Sequence, residues 1–123
     1  MVVIPPELRA EIAEHARDEA PNESCGLLLL DGDTAVDYVR AVNRAASPYR
    51  FELYLAPERW AEIELDQAVV HSHVSSPPRP SRTDVENIGL WEGRPYLIYS
   101  VRTDELAAWT ISDGEIEPVG LGS

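Results

Sequence analysis

The run Gly26-Leu27-Leu28-Leu29-Leu30 is apolar at every position, and a strand of that composition is buried on both faces. Such a strand needs a sheet with layers on either side, which points a chain of 123 residues to one α/β domain, of a size that buries roughly two-thirds of its unfolded surface. Asp31-Gly32-Asp33 follows as a tight-turn signal. Thr34–Val42 is therefore expected to return as an antiparallel partner, with Val36 and Tyr38 among its packing residues.

The flanking segments supply the layers. Pro5-Pro6-Glu7 opens a helix to about Ala20, with Leu8, Ile12 and Ala16 as its buried stripe and His15 at the stripe's edge, read as a solvated or boundary residue. Pro21-Asn22 breaks that helix, and Glu23-Ser24-Cys25 leads into the apolar run. Asn43–Pro48 reads as loop, Tyr49–Leu53 as an exposed strand, and Pro57 begins a short helix carrying Trp60 and Ile63. Residues 68–73 form a further strand; a second short helix, carrying Val85 and Ile88, ends near Gly93. Tyr96–Val101, Leu106–Ile111 and Glu115–Val119 complete the sheet, so the domain is placed at 1–119 and Gly120-Leu121-Gly122-Ser123 at 120–123 reads as a flexible tail. The order predicts a single-domain mixed β-sheet flanked by helices, with antiparallel pairs outnumbering parallel ones.

One stretch carries chemistry: His71-Ser72-His73 … Ser81-Arg82-Thr83-Asp84. The two-residue period of a strand puts His71 and His73 on one face and Ser72 on the other. Val74-Ser75-Ser76-Pro77-Pro78-Arg79-Pro80 is a stiff loop, because its prolines forbid helix interior and central strand. Ser81 then has the spacing of a helix cap and Asp84 that of a first-turn carboxylate, carried back toward the strand end. Ser81-x-x-Asp84 alone reads as a capping box and His-x-His alone as strand composition. Together they make a metal site, expected at the sheet's edge. Two neutral imidazoles and a carboxylate leave a fourth tetrahedral position for water, as catalytic zinc requires. Hydrolysis also needs a carboxylate outside the ligand set to move the water proton, and Glu23, at the mouth of the apolar strand, is the candidate.

Composition narrows the partners. Ten Lys+Arg against 22 Asp+Glu give a formal charge of −12, which opposes nucleic acid and anionic membrane surfaces and favours a neutral or basic partner. No apolar run is long enough to span a bilayer and no leader is visible, so a cytoplasmic location is expected. The single Cys25 excludes an internal disulfide and agrees with a reducing compartment.

With Glu23, His71-Ser72-His73, seven residues and then Ser81-x-x-Asp84, the chain resembles the JAMM (MPN-type) zinc metalloproteases. The likeness runs from Pro21-Asn22-Glu23-Ser24-Cys25-Gly26 through Asn43 and Ser47-Pro48 to Asp84-Val85. It implies Zn2+ held by His71, His73 and Asp84, Glu23 as the base, and Ser81 as donor to the oxyanion, on a JAMM/cytidine-deaminase-like sandwich. The deaminases' own motifs are absent, which rejects deamination. Val74 departs from the proline that many relatives carry after the second histidine, so the loop over the site is expected to take a different path. The chain lacks room for the insertions of eukaryotic deubiquitinating relatives and resembles the short bacterial branch. That likeness implies a ubiquitin-like sulfur-carrier protein as partner and release of its C-terminal cysteine in cysteine synthesis, with another ubiquitin-like or small-peptide substrate next.

Three other readings stay open. Cys25 with His71 or His73 and Asp84 suits a cysteine peptidase, although a cysteine beside an apolar strand also packs as a small hydrophobe. Two histidines and a carboxylate also suit iron(II). A non-catalytic MPN-type interaction module is the third. The oligomeric state is left open, a homodimer included.

Overall fold

The computed structural model describes residues 1–123. Its elements are β1 (Val2–Val3), α1 (Pro6–Glu19), β2 (Cys25–Asp31), β3 (Thr34–Asn43), β4 (Leu53–Tyr54), α2 (Pro57–Ala61), β5 (Asp66–His73), α3 (Arg82–Glu86), a 3₁₀ turn at Gly89–Trp91, β6 (Tyr96–Ser100), β7 (Glu105–Ser112), β8 (Glu115–Val119) and β9 (Leu121–Gly122). The strands form one mixed sheet in the order β8-β7-β6-β5-β2-β3-β1-β9, with β4 paired to β3 off that path. Antiparallel pairs prevail, as expected, and only β1–β3, β1–β9 and β5–β6 run parallel.

Two apolar layers explain the unbroken hydrophobic runs. Pro6 suits the first turn of α1, where its missing N–H is no loss. From there Leu8, Ile12 and Ala16 pack against Leu28, Val70, Leu97 and Tyr99 on one face of the sheet. On the other face Leu27, Val69, Tyr96 and Ile98 pack with Leu55, Ile88 and Trp91. Successive residues of β2 and β5 therefore enter opposite cores, and no position of either centre is left for a polar side chain. The β2–β3 hairpin turns at Gly32, whose φ of 62° is a conformation glycine adopts without strain.

Five expectations are corrected. Val36, expected to pack, is exposed, while Tyr38 is buried. The His71 strand is not at the sheet's edge: β5 lies between β2 and β6, because the segment after His73 crosses over to add β6 parallel beyond it. His15 is not solvated but 2% exposed, with Nδ1 at 2.7 Å from the Tyr38 hydroxyl. Tyr38 can lie across β2 there because Gly26 has no Cβ; one would sit 2.6 Å from the tyrosine ring. Of the strand expected at Tyr49–Leu53, only Leu53 pairs, opposite Asn43, and the pairing continues with Tyr54 opposite Val42. Residues 120–123, expected as a flexible tail, supply β9: Leu121 and Gly122 pair with Val2 and Val3, and Leu121 packs on the α1-side core. No helix is long and apolar enough to cross a membrane.

Candidate metal centre

The C-terminal end of β5 presents His71 and His73 to the face opposite α1, the face Val69 shares, while Ser72 points the other way and accepts a hydrogen bond from the Ser24 N–H at 2.7 Å. β2 pairs with β5 so that Cys25 lies opposite His71, which brings Glu23, two residues earlier, alongside the imidazoles. The Glu23 backbone is tied on both sides, its N–H donating to Ser47 O at 2.9 Å and its carbonyl accepting from Asn43 Nδ2 at 3.0 Å. Asn43 also donates to Arg50 O and accepts from Ala45 N and Glu52 N, so one side chain joins Glu23 to the loop before β4. From that loop Phe51 stacks on His71, ring centroids 4.5 Å apart, and Tyr96 meets the same imidazole edge-on.

Across the site, Ser81 caps α3 through a reciprocal capping box: its Oγ accepts from Asp84 N at 3.1 Å and its own N–H donates to Asp84 Oδ2 at 2.9 Å. The cap fixes the Asp84 carboxylate, 4% exposed, with Oδ1 3.3 Å from His71 Nε2 and Oδ2 3.0 Å from His73 Nε2. The two Nε2 atoms are 3.3 Å apart. Ligands about 2.0–2.1 Å from a tetrahedral ion lie about 3.3 Å from one another, so these three groups have the spacing of a zinc site's edges. His73 Nδ1 faces the Pro77 carbonyl at 2.9 Å; since a carbonyl only accepts, Nδ1 carries a hydrogen and Nε2 is the nitrogen turned to the site. Glu23 lies further out, its Oε1 4.0 Å from His71 Nε2, and that oxygen has no hydrogen-bond partner although it is buried; His71 Nδ1 is unpartnered likewise. Glu23, His71 and His73 offer ligand atoms within 4.8 Å of one another, and Asp84 lies closer to both imidazoles than Glu23 does.

Burial raises the Glu23 carboxyl to about 8, with His73 opposing and Asp84 adding to the shift. Burial also acts against ionised Asp84, but hydrogen bonds from His71 and His73 outweigh it and hold that carboxyl well below the usual range. Burial lowers His71, whereas for His73 the bonds to Asp84 and Pro77 overcome burial and raise it. The two carboxyls are thus set apart, Asp84 held ionised and Glu23 held protonated up to about pH 8.

The structure brings Glu23, His71, His73 and Asp84 together, with Ser81 beside Asp84 at the cap. Cys25 is sealed in the sheet, and burial pushes its thiol up to about 12, which leaves no thiolate for a cysteine peptidase. Phe51, Tyr96 and the Pro77 carbonyl are parts of the site that residue patterns did not single out, and Asn43 entered only among the residues that carry the resemblance. A cavity of about 390 Å³, walled by Phe51, Trp60, Ile88, Trp91 and Tyr96, opens beside Asp84.

A family described as prokaryotic homologues of the JAB domain matches residues 5–112. The chain belongs to this family. It is 29% identical over 134 residues to the CysO-cysteine peptidase of Mycobacterium tuberculosis, covering 98% of this chain and 91% of that protein. It is 38% identical over 105 residues to the desampylase of Haloferax volcanii, covering 75% of each. Among solved structures, a protein from Desulfitobacterium hafniense superposes with a TM-score of 0.82 at 25% identity, covering 98% of this chain and 91% of that one. A JAB1/MPN domain protein from Archaeoglobus fulgidus superposes at 0.66 and 21% over the whole of both chains, a likeness of fold. The JAB architecture, a large mixed sheet flanked by helices, is thus shared along the whole chain.

Proposed function

We propose that this JAB-family chain is a zinc metallopeptidase that hydrolyses the bond after the C-terminal glycine of a ubiquitin-like protein, and that its specific reaction releases cysteine from a sulfur-carrier protein. The observation that carries the chemistry is the tetrahedral-edge spacing of the His71, His73 and Asp84 ligand atoms beside a buried, unpartnered Glu23 oxygen. His71, His73 and Asp84 would hold zinc, which supplies Lewis acidity and lowers the pKa of a bound water to about 7. Glu23 would take the water proton and return it to the leaving amine; burial holds its carboxyl at about 8, and the charge of a zinc ion held by the neighbouring residues would draw it down toward the range a general base needs. Ser81 Oγ accepts from Asp84 N, so its own O–H is free to donate to the developing oxyanion.

The substrate reading draws on the relatives named for CysO-cysteine and for desampylation. A flexible glycine-ended tail lies extended, pairs by main chain rather than side chain, and can run past the cavity beside Asp84. The reducing compartment that suits the lone Cys25 makes the cytoplasm the proposed location.

The test is intact-mass analysis of a carrier–cysteine conjugate, a ubiquitin dimer and a generic peptide, each incubated with and without chelator. Chelator-sensitive release of free cysteine from the first alone is the expected result. Equal rates on all three would remove the carrier-specific claim, and activity that survives complete metal removal would remove the metallopeptidase.

A further inference from the structure

The loop between His73 and Ser81 is tied down mainly by side chains of the sheet. Pro77, Pro78 and Pro80 have no N–H, so the segment has few backbone donors of its own, and its carbonyls are gripped from outside. Three consecutive carbonyls are taken by three different side chains: Ser76 O by the Ser100 hydroxyl at 2.9 Å, Pro77 O by His73 Nδ1 at 2.9 Å, and Pro78 O by Trp109 Nε1 at 2.9 Å. Pro77 O also receives the Arg79 N–H at 2.8 Å, and the Arg79 guanidinium lies over the Trp109 ring, 5.2 Å from its centroid. Ser100 ends β6 and Trp109 lies on β7, so the clamps belong to the rigid sheet rather than to the loop.

We propose that Trp109 and Ser100 are positioning residues for His73: by fixing the carbonyls on either side of Pro77 they hold the Pro77 carbonyl against His73 Nδ1, which keeps the Nε2 lone pair aimed at the metal position. The inference rests on the metal reading of the site. It also states what anchors this loop when Val74, rather than proline, follows the second histidine. Groups that orient a metal-bound histidine change metal affinity by roughly 10–100-fold when removed, and Trp109 and Ser100 act one bond further away, so each is expected to weaken zinc binding by about 3–10-fold.

The experiment is competition for Zn2+ between a chromophoric chelator and the wild type, Trp109→Phe, Ser100→Ala and the double variant, beside thermal melting of the metal-free proteins. Trp109→Phe keeps an aromatic ring at the position and removes the indole N–H together with part of the ring, which is why the melting control accompanies it. The expected result is weaker zinc affinity in each single variant, weaker still in the double one, with metal-free melting temperatures within a few degrees of wild type. Unchanged affinity in both single variants overturns the proposal, as does a loss of affinity that only tracks a matching loss of stability. If Trp109→Phe does not fold, Ser100→Ala decides the matter alone. A wild type that binds no zinc refutes the metallopeptidase reading and this inference with it, whereas zinc held equally by wild type and variants refutes only the inference.

Discussion

Replacing Glu23 by glutamine should make the metal-free protein more stable while it removes activity. Glu23 is 2% exposed, and burial raises its carboxyl from 4.5 to about 8. An acid whose folded value exceeds its unfolded one binds more protons in the folded state between those two values. Stability is therefore lost as pH rises through the window, by about 1.4 kcal/mol per unit. At pH 7 the wild type has forfeited about 3 kcal/mol on this account and at pH 5 less than about 1. Glutamine has nearly the same shape and no charge to bury, so Glu23→Gln should gain about 3 kcal/mol at pH 7, roughly 10 °C in melting temperature for a chain of this size. Denaturant unfolding of metal-free wild type and variant at both pH values measures the gap, zinc content shows whether the metal remains, and turnover should fall by roughly 10²–10⁴-fold with zinc retained. A variant less stable than wild type at pH 7, or one whose advantage is as large at pH 5, would refute the electrostatic account. Loss of zinc would make Glu23 a ligand rather than a base.

Ser81→Ala separates two roles: loss of the capping hydroxyl should cost about 1 kcal/mol in chemical denaturation, and loss of an oxyanion donor should cost roughly 10²–10³ in turnover. A variant that melts earlier yet turns over normally leaves Ser81 as a cap alone. His15 works in the opposite sense to Glu23, because burial, with Arg40 adding to it, lowers its value from 6.5 to about 4. Its contribution is complete above pH 6.5 and falls away by about 3 kcal/mol as pH drops to 4; His15→Gln should flatten stability across that acid range, and an unchanged slope would contradict the reading.

Much of the site was legible because its parts are local. The period of a strand puts His71 and His73 on one face whatever surrounds them, and the cap spacing brings Asp84 into the first turn after Ser81. Long-range geometry was not legible. That Glu23 reaches His71 depends on the β2–β5 register and on Asn43 spanning two loops, neither of which has a local pattern. His15 sits at the edge of its helix stripe by the 3.6-residue period, and only the packing of α1 over Tyr38 buries it. The place of β5 inside the sheet follows from a crossover whose landing point the prolines do not specify, and the grip of Trp109 on Pro78 needs β7 to lie two strands away from β5. The last residues look loose from two glycines, yet backbone pairing with β1 asks nothing of side chains.

Metal content tests the central claim most directly. Wild type, His71→Ala and Asp84→Ala, purified without added metal and analysed by elemental mass spectrometry, should give one zinc ion per chain in the wild type. Zinc and activity should be lost together in both variants. Full zinc occupancy in His71→Ala would contradict the account, because the ion would then be held somewhere other than between His71, His73 and Asp84.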